Sequence, residues 1–296
     1  MSTLSHLREI FLFLIDPWLF MLLSLSYLPR TIFTLLLTLN FPILLSPSRL
    51  QAAWFGRFWA HAGPGVRETG EVRVIPLLEG RVHDGRVLSP PPPSQPSDSD
   101  HRGNDGVRGV VLEVGPGTGL WASVFAHPSL AQGISRIYGV EPNVAHHAEL
   151  RQRIAAAGLG DKYEIVPCGI EDLAASGRVE KGSVDCVVSV MCLCSIPEQK
   201  KHVRELFGYL KEGGRWFVYE HVRCESEKLR ESGLGMRMYQ AVVNLFWPRF
   251  IGGCELCRNT PKTLIEAGPW SKIDLAQPEG EPWYHPLPHI LGTLTK

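Results

Sequence analysis

The stretch Val107–Gly119, VRGVVLEVGPGTG, decides how the chain is read. Val107 to Gly115 is a short apolar run of the kind that forms a buried strand, and it ends in Gly115-Pro116-Gly117-Thr118-Gly119. Glycines at such a strand end let the backbone turn tightly and approach a ligand with no Cβ in the way. The following LWASVFAHPSLA (120–131) reads as helix, and RIYGVEPN (136–143) reads as a second strand carrying Glu141, 22 residues past Gly119. An acid in that position can accept both hydroxyl protons of a ribose. From residue 107 onward strands alternate with helices, which implies an α/β fold with a parallel sheet covered on both faces.

A nicotinamide-dependent dehydrogenase would share the glycine turn and the distal acid. Three details favour S-adenosyl-L-methionine instead. Glu113 lies two residues before the first glycine, where a carboxylate at the strand end can meet a cationic cofactor's amino group. The glycine spacing is G-x-G-x-G, not the dinucleotide G-x-G-x-x-G. Further on, LKEGGR (210–215) turns a helix end into the apolar strand RWFVYEHV (215–222).

Taken in order, VLEVGPGTG, GVEPN, the acidic GIED turn (169–172), VDCVVSVMCLCSI and LKEGGRWFVYEHV resemble the motifs of a class I methyltransferase. Leu193-Cys194-Ser195, Glu220-His221-Val222, Gly253-Cys254 and the closing Trp283…Pro288-His289-Ile290…Gly292…Lys296 are similar to the membrane-anchored methyltransferase-like seven family. The resemblance covers about residues 107–296 in motifs and 1–60 in character. The loop departs from that family in having Pro116 where cysteine is common. The resemblance implies a Rossmann-like domain with a seven-stranded, mostly parallel sheet. It also implies thiol methyl transfer from S-adenosyl-L-methionine. In that reading Glu113, Gly115, Gly117 and Gly119 hold the methionine part of the cofactor, Glu141 the ribose, and Gly169 with Glu171 the adenine.

Upstream, the composition changes. The 296 residues carry 30 basic and 30 acidic side chains, yet only six of these charges fall in residues 1–60. Neither part has the basic excess of a nucleic-acid binder. Ile10–Leu28 has 15 apolar positions in 19 and Thr31–Leu45 has 10 in 15, with Pro29-Arg30 between them. A span needs about 20 apolar residues. No small-residue cleavage site follows, so a secretory signal is disfavoured. Residues 1–63 therefore read as a hydrophobic helical membrane anchor, either a hairpin or one span followed by an interfacial segment. Trp18, Trp54, Phe55, Phe58 and Trp59 are the types expected at headgroup level. Val72–Leu78 and Arg81–Leu88 read as two short strands, and SPPPPSQPSDSDHRGND (89–105) as a flexible spacer. Residues 64–106 thus connect the anchor to a methyltransferase domain at 107–296.

His221, at the carboxyl edge of an apolar strand, is the candidate proton acceptor, because imidazole titrates near pH 7. Glu220 beside it orients a ligand or caps a helix. Cys192 and Cys194 read as packing side chains. Cys254 and Cys257 form only one C-x-x-C pair, and Pro286 and Pro288 keep His285 and His289 off a common helix face, so no metal is expected. KLRESGLGMRMYQAVVNLFWPRF (228–250) reads as a helix whose Met and aromatic stripe either packs as core or roofs the acceptor pocket and faces the bilayer. Seven cysteines, an odd number and several of them in apolar runs, suit reduced thiols in a domain facing the cytosol. The expected partners are a small lipophilic acceptor and a membrane, that of the endoplasmic reticulum or a lipid droplet.

Overall fold

The computed structural model describes residues 3–90, 105–224 and 233–296. Seven strands form one sheet: β1 (Gly109–Val114), β2 (Ile134–Val140), β3 (Tyr163–Val166), β4 (Val184–Val190), β5 (Leu210–His221), β6 (Lys272–Ala276) and β7 (His289–Thr295). Their order across the sheet is β3-β2-β1-β4-β5-β7-β6. The first five run parallel, and β7 pairs antiparallel with both β5 and β6. Chain order reverses between β1 and β4, so the loops after those strands diverge and open a crevice at their carboxyl ends.

Alternation along the central strands feeds two cores. Val111, Val188 and Phe217 point to one face, with Trp121, Phe125 and Leu150. Leu112, Val187, Trp216 and Val218 point to the other, beneath Val203 and Leu206. A Cβ at Gly292 would fall 1.8 Å from the Asp274 carbonyl oxygen, so the close pairing of β6 and β7 depends on a glycine there.

The described helices are α1 (Thr3–Ser26), α2 (Leu28–Leu37), α3 (Pro47–Leu78), α4 (His147–Ala156), α5 (Gln199–Tyr209), α6 (Gly233–Asn244) and α7 (Thr260–Ile265), with shorter turns between them. Leu4–Leu37 is long and apolar enough to cross a membrane by length and composition, with the chain breaking between helices at Tyr27 ahead of Pro29. The helix expected at 120–131 is split into a 3-10 turn (Ala122–Ala126) and one α-turn (Pro128–Ala131). His127 sits extended ahead of Pro128, whose ring disfavours a helical residue before it.

Two expectations for the amino-terminal third are overturned. Val72–Leu78 is not a strand but the last two turns of α3. Val74, Leu77 and Leu78, three and four residues apart, bury one helix stripe against the sheet. That burial outweighs β-branching and an internal Pro76, the latter costing about 3 kcal/mol in a helix interior. Of the second expected strand, Val82–His83 and Arg86–Val87 remain as a small antiparallel hairpin. The segment 49–63 is the first half of the same α3, and its aromatics do not all face outward. Phe58 is fully buried in a cluster with Met21, Trp247 and Ile251, and Trp54, nearly as buried, packs edge-on against Phe250. Trp54 also donates its indole N–H to the Ser24 carbonyl at 2.6 Å, and Trp18 donates to the Tyr239 hydroxyl at 2.8 Å. Ring contacts within the protein, Phe58 on Phe20 and Phe55 on Trp59 among them, turn these side chains inward. The proline-rich spacer lies almost wholly outside the described residues, as does the 228–232 part of the expected helix at 228–250. The rest of that helix divides into α6 and a turn at Trp247–Phe250.

Replacing Leu77 with alanine should lower unfolding stability in urea by about 2–5 kcal/mol. Val72→Ala, at a side chain 67% exposed, should change it by less than about 0.5 kcal/mol.

Candidate active site

The glycine turn is shaped by backbone constraints on three sides. Gly115, Gly117 and Gly119 all have positive φ (61°, 58° and 85°). Gly115 donates its N–H to the Val140 carbonyl at 3.0 Å, which ties the end of β1 to β2. A Cβ on Gly115 would strike the Cys192 sulfur, whereas one on Gly117 would meet nothing within 4 Å. Gly117 therefore faces open space. Glu141, just past β2 and buried, accepts the Gly117 N–H on Oε2 and the Asn143 N–H on Oε1, each at 2.8 Å. His146 Nδ1 lies 3.5 Å from Oε1.

These groups line a cavity of about 810 Å³ at the carboxyl edge of the sheet. Gly115, Gly117, Glu141, Gly169, Glu171 and His221 all contribute to its wall. Gly169 and Glu171 begin the one-turn helix after β3, with the Glu171 carboxylate folded back over the Gly169 Cα. A bare glycine surface, a buried acid just past the second strand and this volume suit an adenosyl cofactor.

Glu113 and Gly119 are not in that wall. Glu113 points beneath the loop and accepts the hydroxyl of Tyr163, which reaches across β2 from β3. It can do so because the intervening β2 residue is Gly139, where a Cβ would collide with the Tyr163 ring and hydroxyl. Burial raises the Glu113 carboxyl to about 7; the Tyr163 hydrogen bond opposes that rise and the nearby Glu141 adds to it. The sequence gives no sign of this pairing, because it joins residues 50 apart through a glycine on a third strand.

Glu220 caps a loop, not a helix. Fully buried on β5, it accepts the backbone N–H groups of Cys192 and Leu193 at about 3.0 Å. This holds the turn after β4, where Met191 takes a left-handed φ of 52°. Burial pushes its pKa up to about 7, against those backbone bonds and one from Ser189. Cys192 and Cys194 line the same cavity; burial pushes the Cys192 thiol well up, and the hydrogen bond to Cys254 does the same for Cys194, with burial adding to it. They are thiols at neutral pH, as packing side chains would be.

His221 stands at the end of β5 with its ring centroid 4.4 Å from that of His289. Its Nδ1 is buried with no hydrogen-bond partner. Burial, with His289 and His285 adding to it, holds its pKa well below the ordinary value, so the ring is neutral at pH 7. His289 in turn donates or accepts at Nδ1 with Glu281 at 2.7 Å and stacks on Tyr219 at 4.8 Å. Arg73 of α3 reaches the Tyr219 hydroxyl at 3.4 Å and lines the cavity beside these rings. Sequence spacing offers His285 and His289 no catalytic role, and it carries no signal for Arg73, which reaches this cluster only through the packing of α3. Among the described residues no group of three or more His, Cys, Asp or Glu could hold a metal ion.

Phe20 of α1, Phe55 and Trp59 of α3, and Trp247 add apolar surface to the lining, with Asp16 the one acid contributed by α1.

A family profile described as a methyltransferase domain matches residues 97–254. Thiol S-methyltransferase TMT1B of Homo sapiens is 32% identical over 203 residues, covering 67% of this chain and 76% of that one. Thiol S-methyltransferase TMT1A of Homo sapiens is 30% identical over 187 residues, with coverages of 63% and 70%. Among solved structures, a putative methyltransferase from Bacillus halodurans aligns with TM-score 0.47 at 15% identity, over 63% of this chain and 92% of that chain.

Glu220→Ala leaves two buried N–H groups without an acceptor and should cost about 2–4 kcal/mol in urea unfolding. Glu220→Gln keeps an acceptor and removes the titration. A carboxyl that ionises near 4.5 unfolded and near 7 folded stabilises the fold most below pH 4.5. That stability is lost as pH rises to 7. The Gln variant should lose less stability than wild type, by about 2–3 kcal/mol, between pH 4.5 and 7.5.

Proposed function

The chain belongs to the methyltransferase domain family and is an S-adenosylmethionine-dependent methyltransferase, and we propose that it methylates the sulfur of a small lipophilic thiol at a membrane surface. One observation carries this reading: a single cavity is lined both by the glycine turn, Glu141, Cys192 and His221 and by the rings of Phe20, Phe55, Trp59 and Trp247. Polar groups suited to an adenosyl group and apolar rings suited to a lipophilic acceptor share that one space. The thiol preference comes from the relatives described as thiol S-methyltransferases.

S-adenosyl-L-methionine, when bound, supplies an electrophilic methyl group for in-line displacement. Gly115 and Gly117 leave its methionine part room, with Gly119 shaping the turn, Glu141 accepts the ribose hydroxyls, and Gly169 and Glu171 flank the adenine. Glu113 acts from below, through Tyr163, to hold the strand end. The rest is alignment, because keeping the acceptor atom about 3–3.5 Å from the methyl carbon supplies much of the acceleration. With the cofactor held by Glu141 and the glycine turn, its sulfonium would supply the methyl group to the acceptor sulfur and would keep the electron pair of the broken C–S bond. A thiol with pKa near 8.5 is partly ionised before it binds. Neutral His221 can take the proton from the remainder.

In this reading residues 1–63 attach the protein to the membrane, 64–106 connect, and 107–296 carry the chemistry, although α3 runs across the first boundary. The cytosolic face of the endoplasmic reticulum or of a lipid droplet is the proposed setting, since all seven cysteines are free and a reducing compartment keeps them so.

The neutral His221 also favours a second reading, an oxygen or nitrogen acceptor that must lose a proton on transfer. A panel of alkyl thiols, alcohols and amines separates the two: methylation confined to alcohols or amines would overturn the thiol assignment. His221→Ala should slow acceptors of high pKa more than thiols, with equal losses marking a positioning role. Glu141→Ala should weaken S-adenosyl-L-methionine binding by about ten-fold or more in calorimetry, from the loss of ribose hydrogen bonds to a charged acceptor.

A further inference from the structure

Helix α6 carries an apolar stripe that nothing among the described residues covers. Leu234, Met238, Val242 and Leu245 recur at intervals of four and three, and Phe246 extends the row; all five are exposed, Leu234 at 72%. The opposite side of the same helix, Met236, Gln240 and Val243, is buried against the domain. Such a division is that of an amphipathic helix, but with the second side facing out instead of turning polar. The only charges between Gly233 and Phe250 are Arg237 and Arg249, both exposed.

This stripe adjoins α1, whose own outer side chains, Leu7, Phe11 and Leu22 among them, are also exposed. The two helices are locked together. Trp18 donates to the Tyr239 hydroxyl, which itself donates to the Leu14 carbonyl, and Trp18 packs on Phe246 with ring centroids 5.9 Å apart. The lock extends along α1: Phe13 meets the edge of Tyr284, and Ser24 donates to the Phe250 carbonyl at 2.8 Å. A helix fastened to the catalytic domain at both ends cannot enter lipid without bringing its neighbours to the same surface.

Resting on the membrane reading above, we propose that the outer face of α6 with Leu245 and Phe246 is a second bilayer contact, continuous with α1 and attracted to anionic lipid by Arg237 and Arg249. Apolar side chains inserted at headgroup depth, with arginines the only charges on the helix itself, are the pattern of an interfacial helix. The contact also brings the acceptor cavity to the lipid, since Phe20 and Trp247, from the two sides of this surface, both belong to its wall. A lipophilic acceptor dissolved in the bilayer then has a short path to the site.

The full chain, reconstituted into vesicles of phosphatidylcholine and phosphatidylserine, tests this with photoreactive benzoylphenylalanine placed singly at Val242, Leu22 or Lys201. Lys201 is exposed on α5, over the other face of the sheet. Irradiation should give phospholipid mass adducts at Val242 and Leu22 and none at Lys201. Adducts at Leu22 without any at Val242 overturn the second contact while leaving the anchor intact. Adducts at neither overturn the membrane reading as well. Protein–protein adducts at Val242 overturn the proposal in favour of a second copy of the chain on this face. Binding of S-adenosyl-L-methionine by the same samples is measured separately, so loss of the methyltransferase reading would not be mistaken for loss of this one.

Discussion

The docking of α3 on the sheet is the contact from which the rest of the architecture follows. At 1.5 Å per residue, its 32 residues make a rod of about 48 Å. Its last two turns press Val74, Leu77 and Leu78 into the same core as Trp121 and Phe217. Its first half presses Phe58 into the cluster that holds α1 and Trp247, and Trp54 onto Ser24 of α1 and Phe250. Gly70 sits where a Cβ would come within 2.9 Å of the Trp121 ring, so the helix approaches the glycine turn as closely as a backbone allows. One rigid element therefore links the hydrophobic amino terminus to the sheet and contributes the cavity wall between them.

The cavity's polar lining is built on carboxylates withdrawn from water. Glu220 fixes the turn after β4 through two backbone N–H groups, and Glu141 fixes the glycine turn through Gly117. Glu113 is satisfied by Tyr163. Each buried acid is tolerated because it has donors within reach. The loops on either side of the crevice are thus held from beneath by hydrogen bonds, which leaves their upper surfaces free for a ligand. The histidines at the end of β5 and β7 are treated differently: stacked and desolvated, they stay neutral and keep an unpaired nitrogen at the cavity.

Much of this was legible from residues alone. The glycine turn, the distal acid, the alternating pattern after residue 107 and the apolar amino terminus were all local signals, and class I strand order follows from the motif order. Pairings that cross the sheet were not legible. Tyr163 reaches Glu113 only because Gly139 is bare, and Arg73 meets Tyr219 only because α3 lies over β5. The segment Val72–Leu78 was misread as strand for the same reason. Its β-branched composition and internal proline speak for an extended chain, and only the sheet it packs against makes the helical stripe the better solution.

The sequence by itself determined which groups are available and where the chain turns, since glycine placement, proline breaks and apolar periodicity act over a few residues. It determined the family, the cofactor class and the hydrophobic character of residues 1–63. Tertiary structure alone decided which acids face the cavity and which lie beneath it, and it made α1 and α3 part of the acceptor wall. It also decided that α6 presents an apolar face outward. The physical reason is that burial and hydrogen-bond satisfaction are settled between residues far apart in the chain, where composition and spacing carry no information about distance.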